Sequence, residues 1–328
     1  MLARATIITI DPTADIQATI DALGSAGGVV RLGPGTYTLT TTLTIPDGVS
    51  LVGSGKSPTT GLPTLLVFTS LTGTTPAILI NNGSDIRLAD FYLSGRAAGS
   101  GNEIDITGNS RRITLERLIV NSSTSGACIS MGGAGWVIAS QVTGVTTAGA
   151  AVGFSTSTAS TSINFLNCYA NAHSAQGFNI QGTYISLNAC ASDGNLHGYV
   201  IQGAVGVTLN GCGGEGCVKG AVFISNATGV VLNGFRSHAN NTGASSYWPS
   251  FLLLTGTTGY HTVCSCTDTS PNAATTYSVR PDGLTGDMAE STLSNCNLAK
   301  PIESTVFFDP KVSYEDDYVM SDDAIVTY

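Results

Sequence analysis

The stretches ISLNACASDGN (185–195) and VTLNGCGGEGC (207–217) each carry an acid three places after a cysteine: Asp193 in the first, Glu215 in the second. If the two phrases are successive turns of one repeat, the carboxylates become neighbours in space. Paired carboxylates suit glycoside hydrolysis, one as acid and the other as nucleophile or base. A separation of ~5 Å suits retention of configuration and a wider one inversion. The pair could also hold Ca²⁺ through its oxygens, or form a solvated outward face that does no chemistry. One repeat further, the same slot is His238. Asp193, Glu215 and His238 are therefore the candidate catalytic residues.

Other slots of the same phrase supply candidate substrate-binding residues. One place after the core residue stand Tyr169, Ala191, Gly213 and Arg236. Seven places after it stand His197 and Lys219. Tyr247 and Trp248 lie in the insert HANNTGASSYWPS (238–250). An aromatic face can stack on the apolar face of a pyranose, and long excursions from a repeat are where function concentrates. No residue set has the pattern of a metal site.

The elements that must position these residues follow from the repeat. A strand phrase recurs as IRLADF, ITLERL, WVIASQ, INFLNC, ISLNAC, VTLNGC, VVLNGF, HTVCSC and STLSNC. Its starts are separated by 27, 23, 27, 22, 22, 23, 31 and 30 residues. Between them fall short apolar triplets such as ILI (78–80), IDI (104–106), FNI (178–180), YVI (199–201) and VFI (222–224). Each triplet has two inward positions around one outward position, the period of a strand. Self-similarity at this spacing marks a solenoid, and short β-branched strands among Asn and Gly select a parallel β-helix. The expected fold is all-β, a single parallel β-helix of about ten or eleven coils with a short N-terminal capping helix. Like residues stack between coils, so Cys168, Cys190 and Cys212 should form a buried inward column. In-register thiols point the same way, which is poor disulfide geometry. Cys217 and Cys264 read as outward or turn positions.

Composition agrees. Charged residues are 11% of 328, glycines number 40, and apolar residues make up 42%; this is a β chain with many tight turns. The net charge of −9 argues against a nucleic-acid partner. No run approaches a membrane span, so membrane insertion is not expected. The opening residues lack an apolar core long enough for a Sec signal. GSGKS (53–57) is not a phosphate loop, because Ser50 stands where that motif needs glycine. Glu103 and Asp105 with Arg111 and Arg112 read as surface ion pairs.

The segment DIQATIDALGSAGGVVRLGPGTYTLTTTLTIPDGVSLVGSG (15–55) offers Thr13 as a helix N-cap just before it, an apolar face of Ile16, Ile20 and Leu23, and Gly24 as terminator. It resembles the leading segment of the pectate lyase-like superfamily of right-handed parallel β-helices, whose members include polysaccharide lyases, hydrolases, epimerases and many phage tailspikes. The resemblance implies three regions: 1–55 with the capping helix and first coils, 56–300 as the β-helix, and 301–328. The last region holds seven acids and one base and is expected to cover the final coil or contact a partner.

The resemblance also implies a function: a virion-associated, tailspike-like β-helix that recognises a bacterial surface polysaccharide and, in one reading, degrades it. Its partners would be that polysaccharide, two further copies in a homotrimer, and other virion proteins. The alternatives are a secreted, extracellular polysaccharide lyase or glycoside hydrolase and a non-catalytic structural appendage. No cofactor is expected unless the chain is a lyase. In that case Ca²⁺ would sit on the acids, with Arg236 or Lys219 as base.

Overall fold

The computed structural model describes residues 6–56, 63–94, 99–122, 125–146, 152–256, 259–282, 291–300 and 302. The acids Glu303, Asp309, Glu315, Asp316, Asp317, Asp322 and Asp323, and with them the expected terminal region, lie outside those residues. The chain is an all-β parallel solenoid of about ten turns, built from three parallel sheets and one short α-helix. It divides into two compact halves, 1–174 and 175–328.

In the first half a coil runs through three strands. One coil is Ile78–Asn81, Ser84–Ala89 and Tyr92–Ser94; the next is Ile104–Thr107, Arg111–Glu116 and Ile119–Ser122. Each strand pairs in parallel with its counterpart on the next coil. We call the sheets I (the Ser84–Ala89 type), II (the Tyr92–Ser94 type) and III (the Ile78–Asn81 type). Ile86, Ile113, Val137 and Ile163 fill one inward column of sheet I, all essentially buried.

Val137 corrects the repeat register. The phrase WVIASQ slips by one, so Val137 takes the core slot and Trp136 is turned out, 54% exposed at φ 54°. Counting from WVIASQ puts Gly144 in the slot that holds Asp193 and Glu215 on later coils; the register puts Val145 there, opposite Asn121 and Asn171. Aromatic periodicity cannot distinguish Trp136 from Val137. The left-handed backbone at Trp136, shared with Asp85, Arg112 and Ser162, decides which of the two points inward. The expected pairing of Arg112 with Glu103 or Asp105 is also replaced. Arg112 binds Asp85 on the neighbouring coil at 2.6 Å, Arg111 lies 5.7 Å from the Trp136 ring, and Glu103 is buried.

The helix Ile16–Leu23 buries Ile16, Ile20 and Leu23 as its pattern requires. Its N-cap is Asp15 rather than Thr13. Asp15 accepts from the Ala18 amide at 3.0 Å, while the Thr13 hydroxyl donates to Asp11 at 2.6 Å. Gly24 (φ 50°) ends the helix, a conformation in which a Cβ is costly.

The second half repeats the plan. Leu187, Leu209 and Leu232 stack in register in sheet I, and Ile180, Ile201 and Ile224 in sheet III, all fully buried. Phe178 stacks on Tyr199 at 4.9 Å, and the buried Tyr199 hydroxyl lies 2.9 and 3.0 Å from the Cys190 and Gly213 carbonyls. A polar group is tolerated there because it is paired.

Cys168 in the first half and Cys190 and Cys212 in the second are buried free thiols. The hydrogen bond with the Cys190 side chain, and then burial, hold the Cys212 thiol far above its ordinary value, which disfavours the nucleophilic thiolate. Cys264 is half-buried as its turn position suggests, but Cys217 is fully buried. The turn after Glu215 folds inward, where the Cys217 amide donates to Asn240 Oδ1 at 2.8 Å.

One residue with φ near +50° to +62° makes the tight corner from sheet I to sheet II in each coil: Ala189, Gly211, Gly234 and Ser265 in the second half. This corner has constant length, so every acid three places after the core residue lands on the same strip of sheet II.

Candidate functional site

All but one of the nine candidate residues lie in the second half, where they form two groups. The first is a column on sheet II. Asp193 is the register partner of Glu215, and Glu215 of His238, so neighbouring backbones are ~4.8 Å apart. Glu215 Oε1 lies 4.0 Å from His238 Nε2, with the glutamate side chain 61% exposed. On its other side His238 Nδ1 lies 3.0 Å from the Thr269 hydroxyl, which orients the ring. Arg236 precedes His238 by two residues on the same strand and so shares its outward face. This is an exposed Glu215 beside a half-buried Asp193 and an oriented imidazole, a set able to pass a proton to or from a bound ligand.

The second group gathers on sheet III around the insert. His197 opens the strand His197–Gln202 and is 6% exposed. Its ring lies 5.8 Å from Phe223 and edge-on to Trp248 at 4.9 Å. Lys219 Nζ lies 4.4 Å from the centre of the Trp248 ring, a cation–π contact. Tyr247 meets Trp248 edge-to-face at 5.2 Å, and Arg280 lies 4.5 Å from the Tyr247 ring. Burial, and then the charge of Lys219, lower the His197 pKa to about 4, so its imidazole is neutral at neutral pH.

The insert is held firmly. The amide of buried Asn241 donates to the carbonyls of Ser245 (2.6 Å) and Trp248 (2.9 Å). Arg280 donates to the Tyr247 carbonyl at 2.9 Å, and the Tyr247 hydroxyl donates to Asp282. The rings are thus preorganised, which lowers the entropic cost of binding.

The sequence slots placed His197 and Lys219 beside the acids. The structure instead carries both around the next corner to the insert, because the strand after that corner belongs to sheet III. Tyr169 lies in the first half, on the strand Tyr169–Asn171, where Asn171 donates to its hydroxyl at 3.0 Å.

Three participants were missed. Phe223 and Arg280 are outward positions of sheet III, register partners of Leu253 on the coil between them; the alternation of VFI would have marked Phe223. The third is Asp268. It is 2% exposed and accepts from the hydroxyls of Ser237 (2.7 Å), Ser278 (2.7 Å) and Ser250. Burial raises its pKa, against the lowering effect of the three serines. Its signal was present: Asp268 stands two places after the core residue Cys266, an inward position.

Among the described residues, no group of three or more His, Cys, Asp or Glu is arranged to hold a metal. Asp193 and Glu215 supply at most four carboxylate oxygens, short of the six to eight that Ca²⁺ takes.

No protein-family model matches the chain, and no curated protein does. Solved structures do. The chain is similar to the A-module of the Azotobacter vinelandii mannuronan C-5 epimerase AlgE4, with 20% identity and a TM-score of 0.66 over 93% of this chain and 97% of that one. It is similar to pectate lyase Pel9A, with 13% identity and a TM-score of 0.54 over 94% and 81%. It is also similar to the Dettilon tailspike protein, with 12% identity and a TM-score of 0.59 over 89% and 68%. With the three stacked parallel sheets, these likenesses show the right-handed parallel β-helix fold, which the epimerase module, the pectate lyase and the tailspike share.

Proposed function

We propose that this chain is a virion-associated, tailspike-like β-helix that recognises a bacterial surface polysaccharide, working as a homotrimer docked to other virion proteins. One observation carries the reading: the rigid insert that presents Tyr247 and Trp248 beside Lys219, His197 and Phe223. Aromatic faces flanked by polar groups suit sugar rings, and the tailspike and polysaccharide-enzyme neighbours support the same substrate class. Cleavage is a second reading, favoured by the Asp193–Glu215–His238 column.

The test is binding to a panel of bacterial surface polysaccharides, with particle mass measured by light scattering. Trp248→Ala is expected to weaken binding at least about tenfold, a loss of ~1.4 kcal/mol, with the β-helix still folded by circular dichroism at the assay temperature. A monomer that binds no glycan in the panel, or a Trp248→Ala variant that binds as wild type does, would sink the proposal.

A further inference from the structure

We propose that Lys219 and Trp248 together seat an anionic group of the glycan, a sugar carboxylate or a phosphodiester, with the adjoining sugar ring on the indole. The inference rests on glycan recognition by the insert and adds the charge class of what is recognised.

Cations are scarce here. Residues 175–328 contain five Lys and Arg (Lys219, Arg236, Arg280, Lys300 and Lys311) in a chain of net charge −9. Two of the five lie against the two rings of the insert. Lys219 makes no ion pair among the described residues, so an indole rather than a carboxylate holds its ammonium. The charged and titratable groups that face this cluster are few. Arg280 is committed to the Tyr247 carbonyl, and Asp282 accepts from the Tyr247 hydroxyl. His197 is neutral at neutral pH. The position of Lys219 is set by its backbone: its amide donates to the Leu196 carbonyl and its carbonyl accepts from the Asn241 amide, both at 2.9 Å. A cation placed in advance beside an aromatic face complements a ligand with an apolar ring face and an adjacent negative charge. A neutral sugar would use the indole and leave the ammonium without a counterion.

The experiment measures affinity of the full chain for three polymers: a polyuronate, the same polymer with its carboxyls reduced to alcohols, and a polyol-phosphate glycan. Wild type is expected to bind at least one anionic polymer about tenfold or more tightly than the carboxyl-reduced one. Lys219→Gln should bring the affinities for the charged and the reduced polymer together, and Lys219→Arg should keep them apart. Dependence on Lys219 with the polyuronate identifies a carboxylate; dependence with the polyol-phosphate identifies a phosphodiester. Equal binding of charged and reduced polymers, with Trp248→Ala still weakening both, overturns this inference and leaves glycan recognition standing. A preference that survives Lys219→Gln also overturns it. If wild type binds none of the three, the inference fails; if it also binds nothing in the wider panel, the functional reading fails with it.

Discussion

Asp193→Asn and Glu215→Gln are each expected to lower cleavage of the recognised glycan by about 10²–10⁴-fold, with the thermal transition unmoved. The cleavage reading is two-carboxylate hydrolysis. One group protonates the departing oxygen while the other attacks or activates water, and neither role survives conversion to an amide. Stability should persist because the column faces outward: Glu215 is exposed, and both changes preserve size. The readout is release of reducing ends, the product of hydrolysis. Wild-type cleavage with undiminished rates in both variants would remove these acids from the mechanism. If wild type cleaves nothing and the variants only change affinity, the column is a binding surface and the cleavage reading is lost. His238→Gln should have a smaller effect, because Glu215 lies 4.0 Å from the ring and can still reach substrate.

Asp268→Ala is expected to cost about 3 kcal/mol of stability, measured by thermal or urea unfolding. Ser237, Ser250 and Ser278 all aim their hydroxyls at this buried carboxyl. Stranding a buried hydroxyl costs about 1–3 kcal/mol. The total is held down because the Ser237 hydroxyl also reaches the Ser250 carbonyl at 3.3 Å. The pH dependence distinguishes charge from packing. Burial raises the folded-state pKa of Asp268 above its unfolded value, so between the two values the native state holds more protons than the unfolded one. Stability from this group is therefore greatest in acid and falls as pH rises through that window. Asp268→Asn cannot ionise. It should flatten that slope and, near neutral pH, be as stable as wild type or more so. An Ala variant as stable as wild type, or an Asn variant that keeps the slope, would show that the cage does not bear on folding.

Spacing alone made the fold legible. Nine recurrences of one strand phrase, with apolar triplets between them, leave no arrangement but stacked coils. Leu187, Leu209 and Leu232 are in register because strand periodicity and a one-residue corner admit no slip. The neighbourhood of Asp193, Glu215 and His238 was legible for the same reason, since each stands a fixed distance after a core residue. Where an aromatic residue fills the left-handed slot before the core position, as at Trp136, counting failed by one place and the left-handed backbone set the true register.

The sequence by itself thus determined how coils stack, which acids share a column and, Trp136 and Cys217 apart, which of the residues singled out lie inside. These properties depend only on alternation and constant turn length. The tertiary structure decided what gathers around the insert. Nothing in the spacing relates Trp248 to His197 or Lys219, which lie 51 and 29 positions earlier, or Tyr247 to Arg280. The insert obeys no repeat, and its course is set by side-chain hydrogen bonds from Asn241 and a clamp from Arg280. The raised pKa of Asp268 and the lowered pKa of His197 likewise come first from burial, which depends on the packing of several coils at once and so is absent from any single stretch of sequence.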